Sequence, residues 1–366
     1  MRAKTLVVLA VLLAVVGAVC ALVLQRAGRR SGPSEPLGKL LLQGVAWDKV
    51  AAVQITGPKG RVLMEKTETH WGVNEREGYP ADLSKLRRLF SELKELKIGR
   101  SFPASEEVLG RLKLKPPREG DAKEDGRATQ VILKNMDGQV LVNLLLGKVW
   151  QGGGDQGFPS GRYVRLGTKG PVYLVDRHFP TIETDPVAWL DKEILSVKER
   201  GIKEIRAYSE GGRKLLYSLA KKSQKDDFLP AGPLKGRLLD KGKVNSLARA
   251  LSNLRLEDVL PLSAKPESVG IDKGRWVEYH LFDGRGYKVF VSRESGEQKG
   301  PKGREDSKHY LTFETKDNSG NPSTGPKAGR LFEVSKWAHK SFLLDPQQLL
   351  QPNKKSDGKE QSDQGP

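Results

Sequence analysis

Cysteine is almost missing from this chain. Cys20 is the only one in 366 residues, so no disulfide can close within one chain and no cysteine metal set can assemble. Its scarcity leaves the redox compartment open. Histidine is sparse as well, with five. His70, His178, His280, His309 and His339 contain no His-Glu-x-x-His and no zinc-like pairing, so each is read as satisfied or exposed. Acids are short against bases, 45 to 63, leaving a formal charge of +18. That surplus favours anionic surroundings such as nucleic acid, anionic lipid or acidic polymers, although a lysine-rich surface also simply keeps a protein soluble. Long apolar runs are absent beyond Leu24. The remainder, in a chain 37% hydrophobic and 30% charged, has the balance of about two globular domains.

Catalytic signatures are missing too. The glycine-rich stretch Gln151 to Gly161 has no lysine-serine/threonine after it and no strand-to-helix context, so it reads as a hairpin connection rather than a phosphate cradle. Ser160, in Phe158-Pro159-Ser160-Gly161, has loop on both sides and is no nucleophile elbow. Carboxylates are plentiful, but no pair has a defined separation. Asp191 reads as a helix-surface acid pairing with Lys192 or Lys198. Trp71, Trp150, Trp189, Trp276 and Trp337 offer aromatic surface for a sugar platform, but Trp189 and Trp337 hold matching positions where core packing is the expectation. The reading therefore names no catalytic residue, no cofactor and no metal site.

What is present begins with Leu6 to Leu24, an apolar run about as long as a hydrocarbon core is thick when helical. The run continues through Leu22-Val23-Leu24 past the small-residue site at Cys20, which favours a retained transmembrane anchor. A cleaved signal peptide and a lipid-modified Cys20 stay open, the latter poorly served by Val19. Arg2 and Lys4 on one side face Arg26, Arg29 and Arg30 on the other, so charge alone leaves orientation undecided.

Val50 to Ile98 then forms a unit: two strands around Gly57-Pro58-Lys59-Gly60, Trp71, and a helix capped by Asp82. Leu83, Leu86, Phe90 and Leu93 fall on one helix face, with Leu89 and Leu96 beside them. A short helix over Ser105 to Leu112, an exposed loop from Pro116 to Gly126, and a hairpin about Asp137-Gly138 follow. A second hairpin joins Tyr163-Val164-Arg165-Leu166 to Val172-Tyr173-Leu174-Val175, and Asp185 to Leu195 reads as a helix with Pro186 in its first turn. The plan then restarts. Val50, Val53 and Leu63 are matched by Ile202, Ile205 and Leu215 at one constant spacing. Asp82, Leu86, Leu89, Leu93 and Leu96 are matched by Asp240, Val244, Leu247, Leu251 and Leu254 at another. Asp137-Gly138 recurs as Asp283-Gly284, Tyr163 as Tyr310, Gln151 to Gly161 as Glu294 to Ser307, and the Trp189 helix as Trp337 to Leu344.

The expected fold is α+β: two tandem copies of an antiparallel-hairpin-plus-helix unit, preceded by one transmembrane helix. The expected organisation is an anchor over 1–24, a tether over 25–45, repeats over 46–197 and 198–349, and a disordered tail over 350–366.

Several phrases carry a family resemblance: the strand pair ending at Trp71, Tyr79-Pro80-Ala81-Asp82 opening a leucine helix, Gly161-Arg162-Tyr163-Val164, Val172-Tyr173-Leu174-Val175, and Trp189-Leu190-Asp191-Lys192. With the N-terminal apolar run, they resemble the domain of unknown function 4340 family. Where that family has a Gly-Leu-x-x-Pro phrase, this chain has Leu112-Lys113-Leu114-Lys115-Pro116 and later Gly270-Ile271-Asp272-Lys273. The resemblance implies a bacterial extracytoplasmic protein anchored in the inner membrane and associated with ABC-type transport systems of the gliding-motility auxiliary kind. It supplies no catalytic residue.

The expected function is thus a non-catalytic accessory or interaction component of an ABC-type transport or envelope complex. Its expected partners are the bilayer and a permease or auxiliary subunit; an outside location disfavours nucleic acid, and no small-molecule ligand is specified. One alternative is a binder of anionic envelope polymer or lipid through Lys85, Arg87, Arg88, Lys94 and Lys97, although Glu92 and Glu95 interrupt that helix face. Another is an envelope hydrolase whose site is not visible in sequence.

Overall fold

The computed structural model describes residues 38–117, 126–151, 159–293, 308–322 and 325–351. The apolar run and most of the tether, nearly all of the Pro116 to Gly126 loop, most of Gln151 to Gly161, Glu294 to Ser307 and the tail from 352 lie outside them. The chain divides into two compact units, Met1–Trp189 and Leu190–Pro366.

The first unit is built on a nine-stranded sheet. Its strands are β1 (Ala52–Thr56), β2 (Arg61–Lys66), β3 (Trp71–Val73), β4 (Tyr79–Pro80), β5 (Ile98–Phe102), β6 (Thr129–Lys134), β7 (Val140–Gln151), β8 (Pro159–Leu166) and β9 (Val172–Val175). They lie in the order β4-β3-β2-β1-β6-β7-β8-β9-β5, every neighbouring pair antiparallel. Period-two patterning puts Val53, Ile55, Val62, Met64, Val131, Leu133 and Leu144 in the core, all fully buried. Helix α1 (Leu83–Lys94) adds its buried Leu86, Leu89 and Leu93. Asp82 starts it by accepting from the Ser84 and Lys85 amides, and the Trp71 ring meets Phe90 at 6.0 Å. Leu83 sits in the first turn at 43% exposure, so the buried stripe runs through Leu89 instead. Asp82→Ala is expected to destabilise the chain by about 1 kcal/mol in urea denaturation, because two first-turn amides lose their acceptor. A shorter helix, α2 (Glu106–Arg111), is capped by Ser105.

The second unit holds a small pair, β10 (Glu193–Leu195) with β14 (Leu254–Arg255), and an eight-stranded antiparallel sheet. The sheet's strands are β11 (Ile202–Tyr208), β12 (Leu215–Ala220), β13 (Leu229–Ala231), β15 (Asp258–Val259), β16 (Arg275–Leu281), β17 (Gly286–Val291), β18 (His309–Lys316) and β19 (Phe332–Val334). They run β13-β12-β11-β16-β17-β18-β19-β15. From β2 the first sheet runs β2-β1-β6-β7-β8-β9-β5, and from β12 the second follows the same path. Helix α3 (Lys241–Arg249), capped by Asp240, buries Val244, Leu247 and Ala248. The buried Tyr279 hydroxyl donates to the Leu247 carbonyl at 3.2 Å and ties sheet to helix. The opposite face is wet: Arg206, Glu278, Lys288 and Glu314 lie side by side across four strands as a row of alternating charge.

The α+β expectation is corrected. The described chain is mostly antiparallel sheet, its longest helix has 12 residues, and no described helix is long and apolar enough to cross a membrane. Two expected helices shrink or dissolve. Asp185 to Leu195 is a single 3-10 turn at Pro186–Trp189 followed by β10, because only the Asp185-Pro186 start is helical in character. Trp337 lies in a six-residue helix, α4 (Lys336–Ser341), and is 78% exposed rather than core. The counterpart of Trp189 is Leu349, in the 3-10 turn Pro346–Leu349 that Asp345-Pro346 opens. Each closes its unit in the same way: the Trp189 carbonyl accepts from the Asp82 amide at 2.7 Å, and the Leu349 carbonyl from the Asp240 amide at 2.8 Å.

Candidate functional site

Two clefts of similar size are lined by polar side chains. The second unit's cleft is about 520 Å³, lined by Glu210, Gly274, Arg275, Ser292, Arg293, Lys340, Asp345 and Gln348, with Leu343 and Leu344. Arg275 donates to Asp345 at 2.8 Å and Arg293 faces Glu210 at 3.6 Å, so two of its cations are matched by acids. Behind it, α4 brings His339 to Ser292, which follows β17. The Nε2 of His339 lies 3.0 Å from the Ser292 hydroxyl and 3.0 Å from the Ser292 carbonyl.

A serine and a histidine at this distance invite a nucleophile-and-base reading. The second contact answers it. A carbonyl oxygen can only accept, so this contact calls for the tautomer with its proton on Nε2, and in that tautomer Nε2 cannot take a proton from the hydroxyl. The hydroxyl also accepts the Tyr310 amide at 3.2 Å. Ser292 and His339 are buried, and the His309 ring lies over His339 at 4.8 Å. The group is a polar tie joining α4 to β17 and β18. The sequence reading left both histidines unconnected; they are far apart along the chain, and only the antiparallel packing brings them together.

The first unit's cleft is about 510 Å³ and lies between α2 and the β7–β8 hairpin. Val108, Arg111, Leu112, Lys148, Val149, Trp150, Gln151 and Tyr163 line it. The Lys148 amide donates to the Leu112 carbonyl at 2.8 Å, which fastens β7 to the end of α2. Gly147 permits this approach, since an added Cβ would collide with that carbonyl. Below the groove Leu109, Leu114, Ala128, Leu145 and Val172 form a buried cluster, with Phe102 edge-on to Tyr163 at 6.2 Å. The Gly161-Arg162-Tyr163-Val164 phrase acquires a physical meaning here. Gly161 has no room for a Cβ against the Val175 carbonyl, and Val164 is core. Arg162 donates to the Gly147 and His178 carbonyls at 2.8 and 3.1 Å, and burial lowers its pKa to about 10.

The remaining residues named from sequence do not converge on one site. Asp191 pairs with Lys327 at 2.7 Å and accepts from the Glu193 amide. Of the α1 cations, Lys85 donates to the Ala188 carbonyl at 2.5 Å, Arg88 pairs with Glu92, and Lys94 lies 5.7 Å over the Trp47 ring. These three cations are held within their own unit. Trp276 stacks among Tyr208 and Phe290 under the Lys288 ammonium at 4.2 Å, while Trp150 is 39% exposed on the groove. No cluster of three or more metal-ligating side chains occurs among the described residues.

No curated protein and no solved structure matches this chain. A family match does: it opens at Trp71 in β3 and runs to Gly274 at the mouth of the larger cleft. Covering residues 71–274, more than half of the sequence, that match places the chain in the family described as Domain of unknown function (DUF4340).

Proposed function

We propose that this protein is a non-catalytic, extracytoplasmic component of a bacterial inner-membrane transport or envelope complex, working by contact with other proteins of that complex. The observation that carries the reading is the His339–Ser292 tie. The serine–histidine pair bordering the 520 Å³ cleft is buried, and a proton on Nε2, which the contact with the Ser292 carbonyl calls for, suits it to packing rather than base catalysis. Asp191, the other tempting acid, is held by Lys327. Support for the location comes from the apolar run Leu6 to Leu24 and the surplus of basic residues. Support for an ABC-type partner comes from the family resemblance, which is associational. A domain held near a bilayer meets membrane partners at high effective concentration, so modest contacts suffice.

Cross-linking in native membranes followed by identification of captured proteins tests this reading. Capture of a permease or its auxiliary subunit is the expected result. Turnover of a peptide or polysaccharide by the purified chain, abolished by Ser292→Ala or His339→Gln, would overturn it.

A further inference from the structure

We propose that the groove between α2 and the β7–β8 hairpin binds an acidic sugar residue of an envelope glycan. This rests on the extracytoplasmic location proposed above and adds a ligand to it. Its volume of about 510 Å³ lies within the roughly 300–1,000 Å³ common for small-ligand pockets. The lining is one-sided in charge: Arg111 and Lys148 contribute two cations, and no carboxylate among the described residues lines the groove. Neither cation has an ion-pair partner among the described residues, unlike the arginines of the second-unit cleft. Two unmatched cations in a concave, partly apolar site attract a carboxylate or phosphate more strongly than the same charges on a flat surface.

The aromatic part chooses among anions. Trp150 pairs across the ladder with Gly161, which has no side chain to lay over its ring, and it remains 39% exposed. The Tyr163 ring is occupied by Phe102 below. Among the described residues the groove therefore presents one aromatic platform beside two cations. A sugar ring needs one such platform for its apolar face and places its acid group at the rim. A nucleic-acid strand tracks a groove with successive stacking platforms, and a lipid surface calls for a protruding basic-apolar face. The groove's construction also keeps it open without ligand. Lys148 is fastened to Leu112, and Arg162 bonds the Gly147 carbonyl from the hairpin. Little ordering is left for binding to impose.

The test titrates the full chain with oligogalacturonate, and separately with a neutral maltooligosaccharide of equal length, by calorimetry at about 0.15 M salt. Saturable binding of the acidic oligomer is expected, with the neutral one at least about tenfold weaker. Trp150→Ala and the double change Arg111→Gln with Lys148→Gln should each weaken it about tenfold, while Arg87→Gln on α1 leaves it unchanged. Trp150, Arg111 and Lys148 are exposed, and unaltered thermal melts would show that the variants fold. Absence of saturable binding, equal affinity for the neutral oligomer, or indifference to Trp150→Ala overturns the proposal. So does stronger binding of single-stranded DNA or phosphatidylglycerol vesicles through the same three residues. Acidic oligomer binding without permease capture would retain this site and remove the transport-complex reading; permease capture without oligomer binding would do the reverse.

Discussion

Gly274→Ala is expected to destabilise the second unit by about 3 kcal/mol or more, whereas Gly201→Ala leaves it unchanged or slightly stabler. The two glycines share ordinary negative-φ backbone and differ in space. At Gly274 an added Cβ would fall onto the Val291 carbonyl, with the Ile271 carbonyl at 3.2 Å on another side. These neighbours are main chain, and the Gly274 carbonyl itself accepts from the Gly211 amide. Relief therefore requires β17 or the turn before β16 to move, a cost beyond the ~1–3 kcal/mol of ordinary overpacking. Around Gly201 an added Cβ meets nothing within 4 Å. There the methyl group only restricts the unfolded chain, worth about 0.4–1 kcal/mol in favour of folding where the backbone conformation suits alanine. Urea denaturation of both variants decides it. Similar midpoints for the two would show that the strand packing at Gly274 yields easily.

Leu93→Ala is expected to cost about 2–5 kcal/mol, and Leu83→Ala less than about 0.5 kcal/mol. Leu93 is fully buried, and the loss combines apolar area with a cavity that surrounding strands cannot fill. Leu83 is 43% exposed. Both are leucines of one helix ten residues apart, so the comparison removes helix propensity as an explanation. Denaturant midpoints compared at equal slope give the answer. A loss at Leu83 as large as at Leu93 would place the buried stripe of α1 wrongly.

Local chemistry was legible in the sequence; chemistry assembled from distant segments was not. Asp82 and Ser105 each announce a helix start because a cap acts on amides two or three residues away. Asp137-Gly138 announces a hairpin because only the glycine takes φ of +78° at that turn without strain. The hairpin strands from Val131 to Leu146 and from Tyr163 to Val175 follow from alternation. Trp337 misled because its match to Trp189 made it look like core, yet α4 is too short for a second turn to fix its face. Asp345-Pro346 carried the truer signal, being the same dipeptide that opens the turn at Trp189. The groove was hidden for another reason. Arg111, Lys148 and Tyr163 come from three segments and meet only because Gly147 lets β7 touch the end of α2. Histidines without regular spacing gave no hint of the His309–His339 stack.

One detail of the sheets bears on how such a protein survives crowding. The outermost strand at one end of the first sheet is only Tyr79–Pro80, and that of the second is Leu229–Ala231, with Pro230 at its centre. Each proline removes a main-chain donor where a neighbouring molecule would begin to add a strand. At the first sheet's other end, residues 38–41 run against β5, with the Ile98 amide donating to Lys39 at 2.9 Å. At the second sheet's other end β15 has two residues. Copies brought side by side are thereby discouraged from zipping into fibrils through their sheet edges.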